Sequence, residues 1–203
     1  MKIAYYLAPQ SPWTYLGHQR FIAIALAAGA EVEVLPVDLG RIFPISGGLP
    51  LGKRAPQRQA YRLQELRRFS AFLGLPLHVQ PTFFPVAGDP AARLITAAAQ
   101  IHGSVAALRL AGSVLSAVWA EQRNIADAAT LAALLDESGL PAGLLEQSAS
   151  AIVQASYESA TQRAIDAGVF GAPTWGIGDE LFWGQDRLDF VARRLGVAQK
   201  DSI

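Results

Sequence analysis

Ser11 and Pro12 open a stretch of this 203-residue chain in which residue type and position point to chemistry on an anion. Proline suits a helix's first turn, where its missing N–H has no intrahelical partner to lose. A long apolar helical pattern begins there, so Ser11 falls at the N-cap. Unpaired N–H groups and the positive end of the helix dipole surround a hydroxyl in that place and stabilise a negative charge near it. The same serine can equally serve as a simple helix cap. At the far end, Gln185-Asp186-Arg187 opens a last helix, where Asp186 reads from position as a helix cap or a first-turn partner of the dipole. The three histidines, His18, His78 and His102, lack metal-ligand spacing, and no Ser-His-Asp arrangement is evident; no metal site is expected. His18 lies two helical turns past Ser11, too far to act on a group held there.

These residues need elements to hold them. Met1 to Leu7 reads as a strand, with Ile3, Tyr5 and Leu7 at period two and Ala4 and Tyr6 apolar as well, the pattern of a strand buried on both faces. A helix from Pro12 to about Ala28, closed by Gly29, and a second strand from Glu31 to Val37 follow. Asp38 to Ala55 is rich in Gly and Pro and is expected to be an irregular, functional or mobile loop carrying Arg41, Lys53 and Arg54. Helices are predicted over Gln57–Leu73, Pro90–His102, Ser104–Asn124, Asp127–Ser138 and Pro141–Ala167, with Pro81–Pro85 extended. Near the end, a short strand from Trp175 to Ile177, a Gly178-Asp179 turn and a strand from Leu181 to Gly184 precede a helix from Gln185 to about Leu195.

A strand–helix–strand unit at one end, and a proline–strand–turn–strand–helix unit at the other, resembles a thioredoxin-like domain. The expected fold class is therefore α/β: a thioredoxin-like domain, split into 1–39 and 169–203, with a large all-helical insertion over 40–168 acting as a lid. The resemblance also implies that Ala172–Pro173 is a cis bond facing the first helix's N-terminus.

Composition narrows the function. Apolar residues make up 51% and charged residues 17%, with zero formal net charge, so the chain can bury a sizeable core. No basic block or aromatic-interleaved basic stripe supports nucleic-acid binding. No secretory pattern opens the chain, and no run of 18 apolar residues lacks a charge, Gly or Pro. A cytoplasmic protein without a membrane partner is expected.

There is no cysteine. A thioredoxin-like layout without a thiol cannot exchange disulfides, because the thiolate is the nucleophile in that reaction. Ser11 stands where such folds carry the reactive cysteine, so any sulfur must come from outside, which points to glutathione. A free thiol with a pKa near ~8.5 is only a few per cent ionised at neutral pH. A hydroxyl donor and helix N–H groups would favour its thiolate. Ser11 is thus read as a hydrogen-bond donor to sulfur rather than a nucleophile.

Ser11-Pro12-Trp13-Thr14-Tyr15-Leu16, Val169-Phe170-Gly171-Ala172-Pro173-Thr174 and Trp183-Gly184-Gln185-Asp186-Arg187-Leu188, with Tyr61, Arg68, Arg93 and Trp119 between them, resemble the 2-hydroxychromene-2-carboxylate isomerase family. That family is related to kappa-class glutathione transferases and to the disulfide oxidoreductase DsbA. The resemblance implies a homodimer that uses glutathione to isomerise an aromatic or unsaturated carboxylate, with Ser11 catalytic. It implies that Asp186 binds the γ-glutamyl amine and that Ala172 and Pro173 hold the cysteinyl moiety. Trp183, Gln185 and Arg187 belong to the same site, and Arg58 replaces a lysine that contacts glutathione. Trp13 and Phe83 are candidates for the substrate's ring, alongside Phe84, Trp119 and Trp183; Lys53 and Arg54 are candidates for its carboxylate, with Arg93 a third cation. The chain departs from the family pattern at Ala8, often an Asp, and in its 40–55 loop, which holds no Asn. Two alternatives share the layout: a kappa-like glutathione transferase acting on electrophiles, and a redox-inactive thioredoxin-like protein that grips peptides.

Overall fold

The central strand expected from the first seven residues organises the sheet. A computed structural model describes residues 1–197; residues 198–203 of the expected 169–203 segment lie outside the described residues. β1 (Lys2–Leu7) runs through helix α1 (Pro12–Ala27) into β2 (Glu31–Pro36), and the two strands pair in parallel, as a helical crossover requires. β3 (Thr174–Ile177) and β4 (Glu180–Trp183) form a hairpin around Gly178, whose φ of +64° suits the tight turn. β3 returns antiparallel along the other edge of β1, giving a four-stranded sheet of order β2-β1-β3-β4. Tyr5 therefore faces Val34 on one side and Trp175 on the other, and Ile3, Tyr5 and Leu7 are fully buried.

Between β2 and β3 lies a helical insertion: α2 (Leu39–Ser46), α3 (Pro56–Leu73), α4 (Asp89–Trp119), α5 (Ala128–Glu137), α6 (Leu144–Gln147) and α7 (Ala151–Asp166). A last helix, α8 (Leu188–Arg194), follows β4. The insertion is not a separate lid. Tyr5, Phe21 and Trp175 of the strand–helix unit share one apolar core with Leu110, Val114 and Trp119 of α4 and Leu131, Leu134 and Leu135 of α5. By length and composition α4 is apolar enough to cross a membrane, but Gly103, at φ +82°, breaks it in two and its buried residues pack against this core.

The structure corrects four local expectations. Residues 38–55 are not wholly irregular: α2 forms there, capped by the Asp38 carboxylate accepting from the Gly40 N–H at 2.7 Å. Burial of Ile42 beside Tyr6, Val37 and Ala164 outweighs the Gly and Pro content and the loss of an N–H at Pro44. The 141–167 stretch is two helices, because the Ser150 hydroxyl caps a new start at Ala151. The helix expected to reach Asn124 ends at Trp119, where the chain turns back and the Arg123 N–H finds the Ala117 carbonyl. Residues 81–85 turn rather than extend, with a cis bond at Phe84–Pro85. The break at Gly103 and the Asp127 cap fall where the sequence reading put them.

His18 ties α1 to both of its neighbours. Its Nε2 donates to the Leu108 carbonyl at 2.9 Å, so its Nδ1 is the unprotonated nitrogen that accepts from the Tyr5 hydroxyl at 3.0 Å. Burial holds its pKa down at about 4, against 6.5 in the open chain. The unfolded chain takes up this proton below pH 6.5 while the folded protein resists to about 4, so His18's contribution to stability is full above 6.5 and is lost as pH falls. Comparing urea midpoints of the wild type and His18→Gln from pH 7 to 4 is expected to show the wild type losing about 3 kcal/mol more across that window; parallel curves would refute the buried neutral imidazole.

Candidate active site

Ser11 lies where β1 delivers the chain to α1. Its backbone is extended (φ −83°, ψ 124°), and its Oγ accepts from the Thr14 N–H at 3.2 Å, which makes it the N-cap the sequence predicts. It is 8% exposed. The hydroxyl proton points elsewhere, to the Ala172 carbonyl at 3.4 Å, the long end of the hydrogen-bond range. Two further polar groups of this turn are unmatched. Among the described residues the Trp13 N–H has no acceptor, and the Thr14 hydroxyl oxygen is fully buried without a partner. An unpaired N–H, a weakly held hydroxyl and the start of a 16-residue helix converge on one point, a setting for an anion.

The opposite wall is the loop before β3. Ala172–Pro173 is cis, as expected, and Pro173 is buried. The Ala172 carbonyl takes only the long bond from Ser11, and among the described residues its N–H donates to nothing, so one residue offers an unused main-chain pair beside the helix N-terminus. The Thr174 hydroxyl fixes the loop by donating to the Gly171 carbonyl at 2.7 Å. The Trp183 indole lies so close over Gly171 that a Cβ there would sit 2.5 Å from its Nε1, and Phe170 packs at a tilt against it with ring centres 4.9 Å apart. This aromatic pair is about half exposed, 45% for Phe170 and 51% for Trp183.

Gly184, at φ +96°, turns the chain from β4 into a single 3-10 turn, Gln185–Arg187. Asp186 is exposed and ion-paired with Arg187 at 2.7 Å. Gln185 turns inward instead: it is 2% exposed, packs on Gly17 of α1, and its side-chain oxygen takes a bond from Arg20 at 3.0 Å. Arg20 also reaches the Gln185 carbonyl, so it fastens the last helix's start to α1.

Beside the start of α1 pack α3 and the loop after it. Arg58 and Arg62 stand one turn apart on α3, and Arg54 precedes the helix. The Arg54 guanidinium donates to the Leu49 carbonyl at 2.8 Å and lies over Phe43, while Lys53 and Arg58 are exposed. Arg62 lies over the adjoining Phe84 and Trp119 rings, 5.2 and 5.7 Å from their centres. Trp13 packs edge-on against Phe69 of α3, and Phe83 is 42% exposed. Trp119 is wholly buried and belongs to the core, so it lines no open pocket. Arg93 sits apart, in a small cavity of about 260 Å³ with Asp38, Asp89 and Tyr157. Two larger cavities, of about 600 and 750 Å³, run along β2, α1 and α4 and include neither Ser11 nor Pro173.

The structure thus joins Ser11 to Ala172 and Pro173, with Trp183 alongside, and sets Asp186 and Arg187 on the surface at the last helix's start. Sequence reasoning missed the unpartnered Thr14 hydroxyl and the roles of Arg20 and Arg62. None has a local signal: each depends on which residues from distant segments meet it.

Comparison with known proteins follows the same lines. Residues 2–196 match the family model of the DSBA-like thioredoxin domain. A curated 2-hydroxychromene-2-carboxylate isomerase of Pseudomonas putida is 30% identical over 201 residues, covering 97% of this chain and 95% of that protein. The solved structure of a 2-hydroxychromene-2-carboxylate isomerase superposes with a TM-score of 0.81 at 26% identity, over 97% of this chain and 95% of that one. The cytosolic disulfide reductase DsbM of Pseudomonas aeruginosa, solved with GSH, shares the fold with a TM-score of 0.69 at 18% identity, over 97% and 100% of the two chains.

The contact between α1 and Gln185 can be tested at Gly17, where an added Cβ would lie 2.9 Å from the Gln185 Cβ and 3.4 Å from the Trp175 ring. Gly17→Val is expected to lower stability by about 1–3 kcal/mol in urea titration, as overpacking does; an unchanged midpoint would show that the two segments do not touch.

Proposed function

We infer from one premise, that this chain belongs to the DSBA-like thioredoxin family and within it to the 2-hydroxychromene-2-carboxylate isomerases, that it is a glutathione-dependent cis–trans isomerase of an unsaturated aromatic carboxylate. The observation that carries the reading is Ser11: a hydroxyl at a helix N-terminus, loosely held by the Ala172 carbonyl, in a chain without cysteine.

The residues present fit the tripeptide. Among the described residues the buried Thr14 hydroxyl and the Trp13 and Ala172 N–H groups lack partners, and glutathione brings a thiolate and two amides. When bound, its thiolate can add reversibly to a conjugated carbon, so that a fixed double bond becomes a rotatable single bond until the sulfur leaves again. The chain's part is to hold that sulfur ionised. Ser11 turns its proton from a 3.4 Å carbonyl contact to the incoming anion, and the first-turn N–H groups and helix dipole lower the thiol pKa further. Ala172 pairs its N–H and C=O with the cysteinyl backbone in the manner of an added strand. Pro173 and Trp183 flank that contact. Asp186 receives the γ-glutamyl amine, with Arg187 holding its carboxylate in place and the free N–H groups of Gln185 and Asp186 near the γ-glutamyl carboxylate. Arg58 offers a cation to a second glutathione carboxylate.

On the substrate side, Trp13 and Phe83 provide aromatic surface, and Lys53 and Arg54 provide positive charge. The reading includes a homodimer and a cytoplasmic location, the compartment in which reduced thiols are kept.

Calorimetric titration with reduced glutathione, followed by thiolate absorbance in the ultraviolet, tests this directly. Saturable binding with thiolate visible near neutral pH is expected. Ser11→Ala is expected to keep its stability within about 1 kcal/mol and to lose about 100-fold in glutathione-dependent turnover of 2-hydroxychromene-2-carboxylate. No binding at millimolar glutathione, or equal turnover by the two proteins, would overturn the reading; sulfur retained in the product would make the protein a transferase.

A further inference from the structure

Among the described residues nothing neutralises the cation of Arg62. Its guanidinium is half-buried over the rings of Phe84 and Trp119, which tilt against each other with centres 4.9 Å apart. Among the described residues no carboxylate pairs with it and no acceptor takes its N–H groups. Arg54 stands close enough to repel it. Burial, then Arg54, pulls its pKa down to about 10, so it stays charged at neutral pH while its charge goes unmatched. A charge withdrawn from water is costly unless it is paired. The aromatic contacts offset part of that cost, but a ring face does not take a pair of N–H donors as a carboxylate does. The edge, with its fork of N–H donors, is the part shaped for a carboxylate, and it is the part left unused.

The loop that seats this cation also leads to Ser11. Phe84 covers Arg62. Four residues on, the Gln10 side chain packs on Gly88, where an added Cβ would lie 2.2 Å from the Gln10 Oε1, and Gln10 immediately precedes Ser11. Among the described residues that Oε1 is buried without a partner, so this joint also lacks one polar contact. Phe83, exposed beside Phe84, gives the same loop an outward aromatic face. Of the other cations nearby, Arg54 already donates to Leu49 and covers Phe43, and Lys53 and Arg58 stand in solvent.

We propose that Arg62 is the specificity-determining residue of this site, receiving the carboxylate of a planar, aryl-conjugated acid through its free N–H edge while the 83–88 loop carries the unsaturated chain toward Ser11. The proposal deepens the isomerase reading and rests on it. It places the carboxylate on a guanidinium held rigid by two rings rather than on the flexible Lys53. A rigid fork fixes both the direction and the plane of the bound acid, which a reaction that rotates one bond of the ligand requires at the end that does not move.

The test uses trans-cinnamate as probe and cinnamamide as its uncharged counterpart, each titrated calorimetrically into the glutathione-saturated protein. Arg62→Met, which keeps an apolar stem against Phe84 and Trp119, is expected to weaken cinnamate at least about ten-fold, to leave cinnamamide unchanged and to leave the dissociation constant of glutathione within about two-fold. Arg62→Lys, which keeps the charge but loses the fork, is expected to fall between, and it serves as the test if the methionine variant melts well below the wild type. Equal cinnamate affinity in wild type and variant would overturn the proposal. So would a loss confined to glutathione, which would assign the guanidinium to the tripeptide's own carboxylate. Wild-type protein that binds glutathione and ignores cinnamate overturns the Arg62 proposal alone; wild-type protein that binds no glutathione overturns the isomerase reading beneath it.

Discussion

The pairing of β1 with β3 is the constraint on which the site depends. Tyr6 lies opposite Thr174 in that ladder, so the chain leaving β1 and the chain entering β3 must meet at one end of the sheet. The residues just beyond those partners are Ser11 on one side and Ala172–Pro173 on the other, 161 positions apart in sequence for the Ser11–Ala172 contact. Neither segment would make a site alone. A helix N-terminus in solvent binds water, and a main-chain N–H and C=O beside a proline do the same. Brought together at low exposure, they form a short cleft lined with polar groups that have lost their water and not regained partners, and such groups are worth more to a ligand than exposed ones.

The helical insertion holds that register in place. Because α4 and α5 share a core with β1, α1 and Trp175, shifting the strands would disturb the packing of Phe21, Val114 and Trp119 as well. His18 adds direction to this packing. Hydrogen-bonded to Tyr5 on the sheet and Leu108 on α4, it fixes the rotation of α1 about its own axis, and so the face on which Ser11 and Thr14 point. Arg20, two residues further along α1, fixes the other neighbour by gripping Gln185. The first helix is pinned in turn to the sheet, the insertion and the last helix, and its N-terminus is left unpinned only at the site.

The elements that sequence made legible are those whose signals are local. Alternating apolar residues marked β1, Gly178 marked the hairpin, Asp127 and Ser11 marked caps, and Gly103 marked a break. Where burial by distant residues decides the matter, local signals misled. Gly and Pro in 38–55 read as loop, yet the pocket waiting for Ile42 makes a helix; a smooth helical pattern over 141–167 hid the Ser150 cap. The site divides in the same way. Ser11 and Pro173 announce themselves by position in a motif. Gln185 stood in the same motif, but Gly17 leaves room for it to turn inward, and nothing near it in sequence says so. Arg62 carries no local signal, because Phe84 and Trp119 meet it only in the fold.

That division bears on what a cysteine-free thioredoxin-like fold can do. The scaffold's electrostatics do not depend on the residue at position 11 having a sulfur: the helix dipole and the Trp13 N–H would stabilise any anion placed there. A cysteine at the N-cap would be held as a thiolate and would react as one. A serine cannot ionise at neutral pH, so it acts only as a donor, and the same field is available to a sulfur that arrives and departs. The exchange turns a site that is consumed by each oxidation into one that is unchanged by turnover, suited to reversible addition rather than electron transfer. What then selects the reaction is no longer the helix N-terminus but the surroundings of the incoming carbon skeleton. In this chain those surroundings are an exposed aromatic pair at Phe170 and Trp183 and, across the cleft, cations on or before α3 that no carboxylate of the described residues neutralises.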